Sequence, residues 1–219
     1  MTNTRVWLTR HAESADPTVF HGAESDILLS EHGERQAEAA AAWFREFRPT
    51  VVVSSAMRRA VATAKPVAEL AGVPHVIVPA FHERRIGAMC GAAFSLTEGP
   101  WAETLAEWTR GNTRFTTAGA ESFDDLAERL VTAWDRTIRE HAGGRIVLVT
   151  HGVVCKVLLL SVLEGWWATR WNELGRVENL ATSELVHDGR AWRAERTLIV
   201  PDPVRALRQV PAAGPKSEA

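Results

Sequence analysis

Four short apolar runs, alternating with stretches of helical periodicity, constrain the fold of this chain more than any other feature of its sequence. "RVWLT" (5–9), "TVVVSS" (50–55), "HVIVP" (75–79) and "RIVLVTHG" (145–152) are rich in β-branched residues. The first reads as a short buried strand and the others as further strands of a largely parallel sheet covered by helices. Ser30 is placed to N-cap "EHGERQAEAAAAWFREF", in which Ala37, Ala40, Ala41, Phe44 and Phe47 share one helical face. "MRRAVATAKPVAELAG" reads as a helix closed by Gly72, with Pro66 marking a kink or break. "ESFDDLAERLVTAWDRTIREHAGG" is a long amphipathic helix ending at Gly143, and "VVCKVLLLSVL" a further helix. Strand and helix in alternation predict an α/β fold: a single three-layer α/β/α domain around a mainly parallel sheet. Near the end, "ATSELVHDGRAWRAERTLIV" alternates about Asp188-Gly189, a turn pair that predicts a hairpin. With 219 residues, one domain over 1–200 suffices to bury a substantial core. Residues 80–120 look irregular apart from a helix at "WAETLAEW". The Pro/Ala-rich stretch 201–219 reads as a poorly ordered tail.

In parallel sheets ligands bind outside the carboxyl ends of strands, and here those ends carry related chemistry. The first strand delivers Arg10, His11 and Glu13; the second, Ser54 and Ser55 followed by Arg58 and Arg59; the fourth, His151 and Gly152. Two histidines and at least two arginines on one rim suit a phosphoryl group. Arg58 reads as a solvated helix residue. The net charge of −2 offers no basic field for nucleic acid or an anionic membrane. The longest apolar run, around 157–160, is too short to span a bilayer, and "MTNTRVWL" lacks the apolar stretch of a signal peptide. Two cysteines without CxxC spacing, Cys90 and Cys155, fit a reducing cytoplasm. No clustered Asp/Glu/His spacing suggests a metal. "TRHAES" has none of the glycines that a dinucleotide-binding turn requires.

Five motifs in order resemble the histidine phosphatase superfamily, which includes the cofactor-dependent phosphoglycerate mutases. "LTRHAES" is similar to L-x-R-H-G-E-[ST], "SSAMRRAVATA" to S-S-x-x-x-R-A-x-x-T-A, and "FHERRIGAMCG" to an E-x-x-x-G segment. "AGAESFDDLAERL" is similar to a G-G-E-S-x-x-D helix start, and "VLVTHGVVCKVLL" to V-x-S-H-G-x-x-x-x-x-L. The resemblance spans roughly 5–190 and implies a phosphoglycerate mutase-like fold. It makes His11 the nucleophile, Arg10 and Arg59 phosphate ligands, Glu83 the proton donor and His151 the second pocket histidine. It implies no metal and no cofactor, and a small phosphorylated substrate. Ser14, His21, Gly22, Arg84 and Gly152 are the further candidates for substrate contact, and residues 84–120 for a cap over the site.

The sequence departs from the family pattern at Ala12, where the family carries glycine; an alanine there requires ordinary backbone angles. No asparagine stands near Pro17 where many relatives place one against the phosphate, leaving Ser14 or His21 to substitute. Trp166, Trp167 and Trp171 read as core or subunit-contact residues, consistent with a homodimer. Mutases of the family usually carry a longer, arginine-rich insertion before the second histidine. Here that stretch is short, with Arg84, Arg85, Arg110 and Arg114 its main cations. The expectation is therefore a phosphomonoester phosphatase acting through phosphohistidine. The alternatives are mutase-type phosphoryl transfer and a non-catalytic phospholigand-binding member.

Overall fold

The computed structural model describes residues 3–93, 95 and 97–207. Six strands form one sheet: β1 (Thr4–Arg10), β2 (Val51–Ser54), β3 (His75–Ile77), β4 (Arg145–Thr150), β5 (Thr182–His187) and β6 (Trp192–Ile199), in the order β3-β2-β4-β1-β5-β6. β3, β2, β4 and β1 run parallel, and the β5–β6 hairpin is added antiparallel to β1. Three of the apolar runs become inner strands, whereas "HVIVP" forms the edge strand β3, where Ile77 is half exposed because, among the described residues, no further strand lies beyond it. β2 is buried along its whole length, as are the last five residues of β4.

Six helices complete the layers: α1 (Glu31–Glu46), α2 (Arg58–Ala71), α3 (Gly99–Thr109), α4 (Phe123–Glu140), α5 (Gly152–Val162) and α6 (Asp202–Ala206). α1, α2 and α6 pack together, whereas α4 packs with α5. The chain moves outward from β1 to β2 to β3, then returns to β4. Right-handed crossovers in opposite directions put the two helix groups on opposite faces of the sheet. Ser30 caps α1 by accepting from the Gly33 N–H, and Ala37, Ala40, Ala41 and Phe44 are buried on that helix. Phe47 lies just beyond its end, stacked 4.9 Å from Trp7.

Two expectations need correction. Pro66 neither ends nor splits α2, which runs unbroken to a left-handed Gly72 cap. A mid-helix proline removes one hydrogen bond, and burial of Thr63, Ala64, Val67 and Ala68 on the same helix outweighs that loss. The supposed tail begins as structure: Pro201 caps α6, and Val204 is fully buried. Proline is well suited to the first positions of a helix, so its presence there did not signal disorder. Residues 208–219 lie outside the described residues. Among the described residues, no helix is long and apolar enough to cross a membrane.

The topology leaves one crevice. From the end of β1 the chain crosses to α1 on one face, and from the end of its neighbour β4 it enters α5 on the other. Adjacent strands whose connections diverge in this way open a cleft at their carboxyl ends. His11 and His151 are the residues that follow those two strands.

Candidate active site

Register brings the two histidines together. Arg10 pairs with Thr150 across the parallel β1–β4 ladder, and the His11 N–H donates to the Thr150 carbonyl at 2.8 Å. The imidazole rings lie 5.2 Å apart at 61°. His11 Nδ1 is 2.6 Å from the Ala12 carbonyl. A carbonyl can only accept, so Nδ1 carries the proton and Nε2 keeps its lone pair. Ala12 is absent from the residues with positive φ, so alanine occupies the position without strain. Its N–H donates to Thr63 Oγ1 at 3.0 Å, which ties the His11 backbone to α2.

His151 is fully buried, with Nε2 2.7 Å from Ser55 Oγ. That hydroxyl also accepts the Met57 N–H at 3.3 Å, which ties the His151 ring to the start of α2. His151 Nδ1 has no hydrogen-bond partner. Burial first, then Arg59, holds both imidazole pKa values well below the usual histidine value; Arg10 and the facing ring add to this for His151, and Arg10 for His11. Both rings are therefore neutral near pH 7.

A cavity of about 410 Å³ opens over His11. Arg10, Arg59 and Glu83 line it, and so do Ser14, His21, Gly22, Arg84 and Gly152. His151 is the one sequence-derived candidate that does not reach the cavity wall. Arg10 is fixed by donating from Nη1 to the Val177 carbonyl at 2.9 Å, while its buried Nε has no partner. Arg59 spans the loop after β1, donating to the Gly22 and Ser25 carbonyls, each at 2.9 Å. Desolvation lowers both guanidinium pKa values, opposed chiefly by the Glu83 charge. Gly152 opens α5 beside the Arg10 side chain, which an added Cβ would meet at 3.6 Å.

Glu83 stands on a braced segment. Thr150 Oγ1 donates to the Phe81 carbonyl at 2.9 Å, and Arg129 donates to the Ala80 and His82 carbonyls at 2.7 and 3.1 Å. Arg129 is itself held by Glu121. One Glu83 oxygen, Oε1, accepts the Arg84 N–H at 2.9 Å. Glu13 also lines the cavity, but its Oε1 accepts from the Ser30 hydroxyl at 2.7 Å, so that carboxylate is joined to the α1 cap.

Two candidates differ from their simplest reading. His21 has both ring nitrogens engaged, Nε2 donating to the Asp16 carbonyl at 2.5 Å and Nδ1 accepting from Ser25 Oγ at 3.0 Å. Arg84 is fully buried, donating to the Glu121 carbonyl and Thr116 and lying over Trp101 and Trp108 at 5.0 and 5.1 Å. Burial pulls its pKa down to about 10. Within 84–120, α3 supplies Trp101 and Leu105 to the cavity wall. Of the cations in the stretch between Glu83 and His151, Arg110 pairs with Glu107 and Arg114 with Asp124, and only Arg84 faces the cavity.

Several cavity residues were missed by sequence reasoning: Lys156, Trp171, Arg176 and Asn179. Trp171 is core, yet it also lines the cavity; Trp166 instead lies against Arg170, and Trp167 is exposed. Asn179 Nδ2 donates to the His11 carbonyl at 3.1 Å, supplying an asparagine from a segment remote in sequence. A lone asparagine before a strand carries no local signal. Lys156 could have been noticed as the one charge inside an otherwise apolar helix.

The profile of the histidine phosphatase superfamily (branch 1) matches residues 6–199. The chain is 34% identical over 192 residues to a metal-independent phosphoserine phosphatase of Arabidopsis thaliana, covering 84% of this chain and 76% of that one. It is 30% identical over 203 residues to a probable phosphoglycerate mutase, GpmB, of Yersinia pestis (strain Pestoides F), covering 89% and 90%. Among solved structures, it resembles mycobacterial glucosyl-3-phosphoglycerate phosphatase in complex with inorganic phosphate. That likeness has a TM-score of 0.73 at 26% identity and covers 90% of this chain and 97% of that one.

Proposed function

Given that the chain belongs to the histidine phosphatase superfamily, we propose that it is a metal-independent phosphomonoester phosphatase acting on a small phosphorylated metabolite through phosphohistidine at His11. The observation that carries this reading is the His11 ring, whose Nδ1–H is committed to the Ala12 carbonyl at 2.6 Å, directing the Nε2 lone pair to the reaction. Nε2 attacks phosphorus as the P–O bond to the leaving group breaks, and Glu83 gives that oxygen its proton. Water then attacks the phosphohistidine. Glu83 takes the water's proton, the P–N bond breaks, and phosphate leaves with the imidazole restored. Arg10 and Arg59 supply donors around the phosphoryl oxygens, where positioning and positive charge contribute most, and His151, fully buried with its ring 5.2 Å from that of His11, stands behind the nucleophile as the second pocket histidine. Ser14, Gly22 and the Gly152 end of α5 lie at the rim of that pocket, with residues 84–120 as its cap.

Hydrolysis is favoured over mutase transfer because Arg85, Arg110 and Arg114 do not line the cavity, so no arginine-rich insertion encloses a bisphosphate. A cytoplasmic setting is supported by two free thiols, and a small-molecule rather than nucleic-acid partner by the net charge of −2. The test is brief mixing with p-nitrophenyl phosphate and an alkaline quench. A base-stable, acid-labile phosphate is expected on His11, with label and turnover both lost in His11→Ala and neither affected by a chelator. Substantial turnover by His11→Ala would overturn the assignment.

A further inference from the structure

Lys156 takes no part in the chemistry above, yet it lines the same cavity. It lies four residues after Gly152, so one face of α5 carries Gly152, Val153 and Lys156 to the cavity wall. The residue is only 8% exposed. Its Nζ donates to the Trp171 carbonyl at 3.1 Å and lies 4.5 Å from the Trp171 ring centroid. Trp171 in turn packs edge-on to Trp101 at 6.0 Å and to Trp108 at 5.6 Å. Among the described residues, no carboxylate lies within ion-pairing distance of Lys156. An ammonium buried in aromatic surroundings without a counter-ion is costly, and Trp171 uses one of its three N–H donors.

The geometry points to Lys156 as the binding residue for a second anionic group on the substrate, carried by the alcohol that leaves when phosphate is transferred. This rests on the phosphatase reading and narrows it to phosphomonoesters that bear another acid. The helix rises ~6 Å between Gly152 and Lys156, and the long side chain leans back towards the helix N-terminus. The second anion therefore sits a short carbon chain from the phosphorus. Trp171 and Trp101 cover that chain, and one ammonium balances one carboxylate. Burial also lowers the Lys156 pKa to about 8, as expected of a cation whose counter-ion arrives with the ligand.

The experiment compares 3-phosphoglycerate with glycerol 3-phosphate, matched three-carbon esters that differ by a carboxylate, and adds propane-1,3-diol bisphosphate for a second phosphate. The wild-type protein should favour an anion-bearing ester in kcat/KM by about 10- to 100-fold, the worth of one charge-assisted hydrogen bond. Which of the two is favoured identifies the anion as carboxylate or phosphate. Lys156→Met and Lys156→Gln should each collapse that ratio towards one, chiefly through KM; Gln retains a donor for the Trp171 carbonyl. A purely structural role would lower all three esters in proportion and leave the ratio intact, which would overturn the proposal. Wild-type indifference between the esters would overturn it equally. Glycerate and glycerol, tested as competitors of p-nitrophenyl phosphate on the wild type, need no folded variant; glycerate alone should inhibit. Failure of the wild type to turn over p-nitrophenyl phosphate would instead refute the underlying phosphatase reading.

Discussion

Replacing Glu83 by glutamine isolates the proton that the leaving group needs. The substitution is nearly isosteric, and the Gln carbonyl can still accept the Arg84 N–H that Oε1 accepts at 2.9 Å, so the backbone there keeps its contact. What disappears is the transferable proton of the acid form and the negative charge of the ionised form. That charge acts favourably on Arg10, Arg59 and Arg84; without it the phosphate pocket is more positive, so KM should hold or fall. The chemical step should slow for an alkyl phosphate by about 100- to 10,000-fold, equivalent to about 2.7–5.4 kcal/mol of lost transition-state stabilisation. A nitrophenolate leaves readily without protonation and should slow far less. Rapid-quench single turnovers measure phosphoenzyme formation alone, whereas steady-state rates mix in the second step, for which Glu83 is the base. Equal slowing of both substrates would refute the general-acid role and make Glu83 a positioning residue. Glu13 would then be the next carboxylate to test, although its bond to Ser30 makes its proton transfer compete with the α1 cap.

The two buried imidazoles should remain neutral at pH 6 in the free protein, because burial and the neighbouring arginines lower both pKa values; nitrogen-detected NMR should show His11 protonated on Nδ1, and a midpoint near the ordinary ~6.5 would contradict the geometry. Gly33→Ala should destabilise the protein, although alanine in a helix normally gains about 1 kcal/mol over glycine. The added Cβ would stand 2.0 Å from the Glu13 carbonyl oxygen, an overlap expected to cost about 1–3 kcal/mol net. Thermal unfolding checks it, with an unchanged or raised Tm as the refuting result.

Much of this molecule was legible in the sequence because its signals are local. A β-branched run buried on both faces must be an inner strand, an apolar stripe at helical spacing must face the core, and Ser30 can satisfy the Gly33 N–H with no distant partner. The placement of Arg10, His11 and His151 at strand ends was equally readable, since parallel strands deliver those ends to one edge. Partnership was not readable, because it is decided by residues far apart in the chain. Glu13 and Glu83 are both carboxylates near the site, and only the folded chain shows one joined to Ser30 and the other held beside Arg84. His11 takes its tautomer from the Ala12 carbonyl, His151 Nε2 meets Ser55 across 96 residues of sequence, and Asn179 reaches the His11 carbonyl across 168. Lys156 looked like one charge among leucines and valines, and Trp171 like ordinary core. Side by side on the cavity wall, with no carboxylate to pair the ammonium, they define an environment that exists only after α5 and the Trp171 segment have packed. Periodicity and end signals act within a few residues, whereas desolvation and charge pairing depend on what the rest of the chain brings near.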